Sequence, residues 1–422
     1  MTIYRAHILH TPTPAAFVSQ QGAYIVVDND GYIQGVYENL PEEWSKHSVV
    51  DFGNKILIPA MNDMHVHAPQ YANMGIAMDL ELIPWLNTYT FPEESKFVDT
   101  AYAQTIYDAF VNELCRQGTM RAAVFATIHL PATQCLIEAF ERKGMGAMIG
   151  LVGMDRNAPE QLQNSTQSWL EGMQHLMQLL DKNPRIKPIV TPRFIPSCTP
   201  QMLQAMGELA QEYKLPVQSH LSENKKEIEW VKQLEPQAQN YGDAYNRYGL
   251  FGQTPTLMAH CCYTQGEELH LMRENNVTVV HCPTSNCNIA SGIAPIRTFL
   301  QEGINVTLGS DIAGGNHLSM MRVMQYAVQM SKLHYALSDG QMPFLSLSEV
   351  FYMATKAGGG LFGRVGSFEK GYAFDALLID DTKLHPTSND LQQRLEKFIY
   401  LGDDRNIEQR FCQGRVVNLE NT

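Results

Sequence analysis

Short apolar runs recur along the middle of the chain and alternate with segments whose apolar residues repeat at helical spacing. Runs of this kind, without alternation of polar and apolar positions, are typical of strands covered on both faces. Strands that alternate with helices indicate βα units and a parallel sheet. The pattern predicts eight such strands, at residues 56–67, 122–128, 147–152, 188–194, 216–221, 256–261, 277–282 and 305–311.

The segments between these strands carry signals for the start of a helix. Thr199 is followed by a proline and then by an apolar stripe, so we predict Thr199 as an N-cap with proline in the first turn. Thr264 with Glu267, and Ser346 with Glu349, have the spacing of capping boxes. Each of these positions is therefore expected to begin a helix.

The two ends of the chain have a different pattern. Strands are predicted at 23–28 and 32–36, joined at Asp30-Gly31 by a hairpin turn, and the last fifty residues contain similar short runs at 376–380 and 413–418. Eight βα units between these ends fit a (β/α)8, TIM-like barrel. The sequence thus predicts an α/β protein with two parts: a catalytic barrel at 59–365, and a small β-sandwich domain formed by 1–58 together with 366–422.

Composition narrows the class of protein. The chain has 422 residues and a net charge of −13. Its contents of 44% hydrophobic and 18% charged residues are those of a globular protein with a large core. We see no secretory signal and no apolar run of the ~18 residues that a membrane span needs. Eight cysteines without Cys-x-x-Cys spacing favour reduced thiols and a cytoplasmic location. The negative charge disfavours nucleic acid as a partner, so we expect an enzyme of small molecules.

Candidate metal ligands stand at the ends of four predicted strands. His65 and His67 lie two residues apart, so they project from the same face of the first strand. His220 ends the fifth strand and Asp311 ends the eighth. Barrel active sites lie at these carboxyl ends. Three imidazoles and a carboxylate suit one divalent ion, Zn²⁺ in the first place and Fe²⁺ as the alternative.

Further candidates for catalysis follow the same strand ends. Glu223 comes three residues after His220, and the chain must turn there for both to reach one water molecule. Glu223 could then accept a proton and return it to the substrate, although a glutamate in the first turn of a helix is the alternative. His260 is predicted to orient the attacking hydroxide, and His281 to be either a hydrogen-bond partner behind the site or a structural residue. A hydroxide activated by the metal suits hydrolytic deamination of an N-heterocycle.

Seven segments of the chain resemble the amidohydrolase superfamily, and within it the guanine deaminases. The similarity covers residues 55–365 and rests on His65-Val-His67-Ala-Pro-Gln70-Tyr71, Trp85-Leu-Asn-Thr-Tyr-Thr-Phe-Pro-Glu93, Thr191-Pro-Arg193-Phe194, Gln218-Ser-His220-Leu-Ser-Glu223-Asn, Met258-Ala-His260, His281-Cys-Pro-x-Ser-Asn286 and Gly309-Ser-Asp311-x-Ala-Gly-Gly315. The pieces with Gln70 and Arg193 are the most specific. The sequence departs from the family at 59–64, where Pro-Gly and a threonine before the histidine are more usual.

The resemblance implies a substrate and a mechanism. Guanine and water would give xanthine and ammonia, with Glu223, His260 and Asp311 as the catalytic residues. Gln70 and Arg193 would bind the purine, with Phe194 against its ring. His220, together with the catalytic His260 and Asp311, would also contact the substrate. The resemblance further implies a homodimer.

Other readings remain open at this point. A related deaminase or chlorohydrolase could act on 8-oxoguanine, on a triazine or on another N-heterocycle. A cyclic-amide hydrolase would bridge two metals with a modified lysine on the fourth strand, but the only lysine there, Lys187, stands at the start of the strand. A non-enzymatic barrel would be expected to lack ligands, and none is missing. The sequence therefore favours a single metal.

Overall fold

The computed structural model describes residues 1–419, which form seventeen strands and fourteen α-helices joined by short turns of 3₁₀ or π helix. The strands are β1 (Thr2–Thr13), β2 (Ala16–Val27), β3 (Ile33–Tyr37), β4 (Val49–Pro59), β5 (Met61–His67), β6 (Thr119–Phe125), β7 (Gly146–Gly150), β8 (Val152–Gly153), β9 (Ile186–Pro188), β10 (Thr191–Pro192), β11 (Val217–Leu221), β12 (Thr256–His260), β13 (Thr278–His281), β14 (Val306–Leu308), β15 (Ala376–Ile379), β16 (Ile407–Cys412) and β17 (Arg415–Val416).

The α-helices lie mainly between the strands of the central region. They are α1 (Leu82–Trp85), α2 (Phe91–Glu94), α3 (Thr100–Arg116), α4 (Leu130–Lys143), α5 (Thr166–Leu180), α6 (Pro200–Tyr213), α7 (Lys225–Leu234), α8 (Tyr241–Asn246), α9 (Glu267–Glu274), α10 (Pro283–Asn288), α11 (Ile296–Gln301), α12 (Met320–Leu337), α13 (Leu347–Tyr352) and α14 (Leu391–Leu401). None of the helices within residues 1–419 is both long and apolar enough to cross a membrane.

The central strands form a closed parallel barrel. One group of four runs β5-β6-β7-β9 and another runs β11-β12-β13-β14, with the short pair β8 and β10 continuing β7 and β9. A bridge between Val190 and Val217 joins the two groups on one side. On the other side, the backbone N–H of Asp311 donates to the carbonyl of His65 at 2.9 Å, which closes the ring. The predicted (β/α)8 barrel is thus confirmed, and its closure brings the first and eighth strands together.

One predicted strand needs correction. The apolar run at 56–67 is two strands in different sheets: its first residues end β4, and the rest form β5. The change occurs at Ala60, whose backbone N–H donates to the carbonyl of Asp375, whereas that of Met61 donates to Gly118 in the barrel. Both parts are buried, so the hydrophobic pattern alone does not reveal the break.

The two chain ends meet in a single sheet of seven strands with the order β17-β16-β15-β4-β1-β2-β3. The predicted hairpin joins β2 and β3, and Gly31 in its turn has φ +84°, a conformation that glycine adopts without steric cost. One face of the sheet buries stacked rings of Tyr4 and Phe374 against Phe411. The division of the chain into domains at 58/59 and 365/366 stays a prediction.

Two of the three predicted helix starts are confirmed. The hydroxyl of Thr199 accepts from the N–H of Met202 at the start of α6, and Ser346 and Glu349 form a capping box at α13. The predicted capping box at Thr264 is wrong. Helix α9 begins at Glu267 after Gly266, which has φ +56° and no side chain to act as a cap.

Candidate active site

The four predicted metal ligands converge at the carboxyl end of the barrel. One ligand atom from each of His65, His67, His220 and Asp311 lies within 4.8 Å of the other three. The Oδ1 atom of Asp311 is 3.2 Å from Nε2 of His65 and 3.5 Å from Nε2 of His67. Strands β5 and β11 and the segment after β14 therefore bring together residues that are far apart in sequence.

This donor set fits a divalent cation. The Nε2 atoms of His67 and His220 are 3.1 Å apart, and buried Nε2 of His65 has no hydrogen-bond partner among the described residues. The Nδ1 atom of His220 lies 2.6 Å from the carbonyl of Arg193, so Nδ1 carries the proton and Nε2 offers its lone pair to the cluster. Imidazole nitrogens that converge next to a carboxylate are the environment that a divalent metal ion completes.

The charges of these groups agree with that role. Burial lowers the pKa of His65, His67 and His220, so the imidazoles are neutral near neutrality and can act as ligands. Burial disfavours the charged form of Asp311. The neighbouring histidines outweigh this effect and hold the pKa of Asp311 below its ordinary value. The site thus combines one carboxylate with three neutral nitrogen donors.

Glu223 and His260 lie directly beside the donor set. The Nε2 atom of His260 is 3.6 Å from Oε2 of Glu223 and 3.7 Å from Oδ2 of Asp311. Burial raises the pKa of Glu223, which favours a carboxyl group able to exchange protons. Burial alone would lower the pKa of His260, but the two carboxylates outweigh it and raise that pKa. Two candidate proton carriers therefore adjoin the predicted ligands.

The backbone turns sharply at three positions of the site. Ser222 has φ +46°, His260 has φ +71° and Asp311 has φ +47°, all in the left-handed region that residues other than glycine rarely adopt. The predicted turn after His220 therefore exists, and it lets Glu223 face the same cavity as His220. Such strain is typical of residues whose side chains must be held in a defined direction.

A cavity of about 450 Å³ opens beside the donor set. Gln70, Arg193 and Phe194, the residues predicted to bind a purine, line this cavity together with Glu223 and His260. Apolar side chains, namely those of Leu82, Trp85, Leu86 and Ile289, form much of the remaining wall. The structure thus brings the predicted binding and catalytic residues to one open cavity with a largely apolar wall.

His281 lies apart from this space. It ends β13, but its side chain lines a separate cavity with Arg297 and His334, and its Nδ1 atom has no hydrogen-bond partner among residues 1–419. Burial lowers its pKa to about 3. Nδ1 of His281 therefore makes no hydrogen bond to the site, and a place for His281 behind the site stays a prediction.

Three polar residues that support the site were missed from sequence. Glu94 accepts from Nε2 of Gln70 at 2.9 Å and forms an ion pair with Arg193. Ser291 donates to Oε1 of Glu223 at 2.8 Å, and Asn286 lies beside Nδ1 of His260. Asn286 and the residue before Glu94 stand in the segments that resemble the family, which was the only signal available.

The comparison with known proteins agrees with this geometry. Residues 56–417 match the model of the amidohydrolase family. The chain belongs to the amidohydrolase family. It is 37% identical to guanine deaminase of Dictyostelium discoideum, covering 99% of this chain and 98% of the relative, and 34% identical to guanine deaminase of Escherichia coli K12, covering 88% and 85%.

A solved structure is similar over the whole amidohydrolase fold. The crystal structure of guanine deaminase from C. acetobutylicum with bound guanine has a TM-score of 0.97 and 48% sequence identity, covering 99% of this chain and 100% of that one. An adenosine deaminase from Xanthomonas campestris with bound zinc has a TM-score of 0.85, but at 22% identity it shows only a shared fold.

The fourth strand of this amidohydrolase offers no lysine to the site. Lys187 lies within β9, and its side chain is exposed. The arrangement needed to bridge two metals through a modified lysine is therefore not present at this position.

Proposed function

We propose that this protein hydrolyses guanine to xanthine and ammonia. The main support is that Gln70 and Arg193 line the same cavity as His67, His220 and Asp311 of the donor set. The relatives named above are guanine deaminases, and one of them was crystallised with guanine. In the reaction the C2–N bond of guanine breaks, a C2–O bond to water forms, and the nitrogen leaves as ammonia.

Each residue around the cavity has a task in this reaction. A divalent ion held by His65, His67, His220 and Asp311 would, when bound, lower the pKa of water toward neutrality. Glu223 takes a proton from the water and delivers it to the ring nitrogen next to C2. His260, which lies between Glu223 and Asp311, orients the attacking oxygen and stabilises its charge.

The bound purine is placed by the opposite wall. Gln70 and Arg193 hold its polar edge, and Phe194 packs against the ring. His220, His260 and Asp311 also contact it at the reacting carbon. Trp85 and the leucines beside it exclude water from the apolar faces of the ring.

A direct assay tests this function. Purified protein with one equivalent of Zn²⁺ is given guanine, 8-oxoguanine, adenine or a triazine, and the ultraviolet spectrum and the ammonia released are recorded. We expect guanine to be converted to xanthine and the other compounds to be hydrolysed far more slowly. Faster turnover of 8-oxoguanine or of the triazine would instead support a related deaminase or chlorohydrolase.

The metal is proposed to be a single Zn²⁺ ion, with Fe²⁺ as the alternative. The nitrogen-rich donor set suits either ion better than Mg²⁺ or Ca²⁺. Elemental analysis of protein purified without added metal should find about one ion per chain. Two ions per chain would favour a binuclear hydrolase.

The protein is further proposed to be a cytoplasmic homodimer. The carboxyl end of α12 and the loop after it expose Leu333, Tyr335, Leu337 and Phe344, and Leu337 is 70% exposed. Exposed apolar side chains of this kind often mark an interface. Light scattering after size-exclusion chromatography should give about twice the mass of one chain. The substitution Leu337→Lys should lower the measured mass toward that of the monomer.

A further inference from the structure

Both ends of the Gln70 side-chain amide are held by the protein. Its Oε1 atom accepts from the backbone N–H of Ala313 at 2.9 Å, and its Nε2 atom donates to Oε1 of Glu94 at 2.9 Å. A backbone N–H can only donate and an ionised carboxylate can only accept. These two neighbours therefore fix the orientation of the amide, which leaves the second hydrogen of Nε2 and one lone pair of Oε1, beside the N–H of Ala313, for other partners.

Arg193 is held by the other oxygen of the same carboxylate. Its Nη1 atom donates to Oε2 of Glu94, and its guanidinium lies 5.0 Å from the centre of the Phe91 ring. A guanidinium has five N–H donors and no acceptor. Gln70 and Arg193 both line the cavity, whereas Glu94 lies behind them and is 6% exposed. The part of the wall that Glu94 holds therefore presents mainly hydrogen-bond donors, from Arg193 and from Nε2 of Gln70.

We infer that Glu94 is a positioning residue that makes the protein selective for 6-oxopurines over 6-aminopurines. This inference rests on the proposed function and extends it to substrate choice. The carbonyl oxygen of a 6-oxopurine accepts hydrogen bonds from a wall of donors. The amino group of a 6-aminopurine would place its own N–H groups against that wall and leave buried donors unpaired, which is costly.

The neutral isostere of Glu94 cannot satisfy both neighbours. Nε2 of Gln70 and Nη1 of Arg193 donate to different oxygens of Glu94, so in Glu94→Gln the NH₂ group of the new amide takes the place of one of these oxygens and faces a donor. One of the two side chains must turn away, and Gln70 is the one that can offer an acceptor to the ligand. Glu94→Asp keeps a carboxylate with two acceptor oxygens and should retain the selectivity.

The test compares guanine with 2,6-diaminopurine. Both carry the 2-amino group that leaves, and they differ in the group at C6. We expect the wild type to favour guanine strongly. Glu94→Gln should lower kcat/KM for guanine mainly through a higher KM, and should reduce the guanine preference by roughly tenfold or more. Glu94→Asp should keep the preference, even if both rates fall.

A neighbouring carboxylate provides the control. Glu93 bonds Lys96 and Tyr102, and it is not among the cavity residues. Glu93→Gln should leave the preference unchanged. If Glu94→Gln slows both substrates by the same factor, or leaves both rates unchanged, Glu94 does not set the selectivity and the inference is wrong.

Binding of compounds that cannot react separates this inference from the proposed reaction. Hypoxanthine and adenine lack the 2-amino group and differ in the oxo or amino group at C6 and in the proton that the oxo form carries on N1. Calorimetry should give tighter binding of hypoxanthine by the wild type and a smaller ratio for Glu94→Gln. This ratio is measurable even if the wild type releases no xanthine. Equal affinities in the wild type would overturn the role of Glu94, whereas absence of xanthine alone would overturn the proposed reaction.

Discussion

The side-chain oxygen of Asn286 lies 2.9 Å from Nδ1 of His260. Because an amide oxygen only accepts, Nδ1 of His260 carries a proton and donates to Asn286. The ring is thereby held with Nε2 toward Oε2 of Glu223 and Oδ2 of Asp311. Asn286, in helix α10, thus directs the histidine that we propose to orient the attacking oxygen.

Removal of this hydrogen bond should slow turnover without unfolding the protein. In Asn286→Ala the ring of His260 can rotate, so we expect kcat for guanine to fall by roughly 10- to 100-fold while KM changes little. Steady-state kinetics and thermal unfolding would be measured together. Asn305→Ala is the control, since Asn305 bonds Thr278 at the surface. An unchanged kcat would show that His260 needs no support from Asn286.

Glu223→Gln tests proton transfer. The amide has the shape of the carboxyl group but cannot exchange the proton, so kcat should fall by roughly a thousandfold. Glu223 is not among the four donors, so the metal content should stay the same. Elemental analysis and kinetics on the same sample would separate the two effects. Glu229→Gln, on the adjoining helix, is the control. Turnover within a few fold of the wild type would exclude Glu223 as the proton carrier.

The four predicted metal ligands could be singled out because each lies at or just after the carboxyl end of a barrel strand, and parallel strands bring these ends together. Glu94 could not. Its partners stand 24 and 99 residues away, and it belongs to a short helix without a regular hydrophobic pattern. Only the folded barrel brings these three side chains together.

His281 illustrates a second limit. Like His220 it ends a strand, but Val280 and Cys282 pack together in the barrel interior, so the residue between them projects from the opposite face. The sequence shows that side chains along a strand point alternately to its two faces. It does not show which of the two faces points into the barrel. The break at Ala60 was hidden for a similar reason, because the residues on both sides of it are buried.

A buried ion pair joins the barrel to the sheet of the chain ends. Nε of Arg121 in β6 lies 2.6 Å from Oδ2 of Asp375, next to β15. Asp375→Asn would leave the guanidinium buried without its counter-charge, so the free energy of unfolding should fall by about 3 kcal/mol. Urea unfolding would measure this. The exposed pair of Arg5 and Asp51 is the control, and Asp51→Asn should change stability little. Equal effects of the two substitutions would contradict this role.

His10 should make stability depend on pH. Its Nδ1 atom accepts from the N–H of Phe368, and burial lowers its pKa from 6.5 to about 4. As the pH falls below 6.5, the unfolded chain binds a proton that the folded protein does not. The free energy of unfolding should therefore fall on acidification, and His10 alone should account for about 2 kcal/mol between pH 7 and pH 5.

The variant His10→Asn isolates this contribution. Asparagine keeps an acceptor for the N–H of Phe368 but does not titrate in this range. All other histidines and the metal site are common to both proteins, so their pH dependence cancels in the comparison. Urea unfolding at a series of pH values should show the wild type losing stability relative to the variant as the pH falls from 7 to 5. Parallel curves would mean that His10 is protonated equally in the folded and unfolded states, against the effect of its burial.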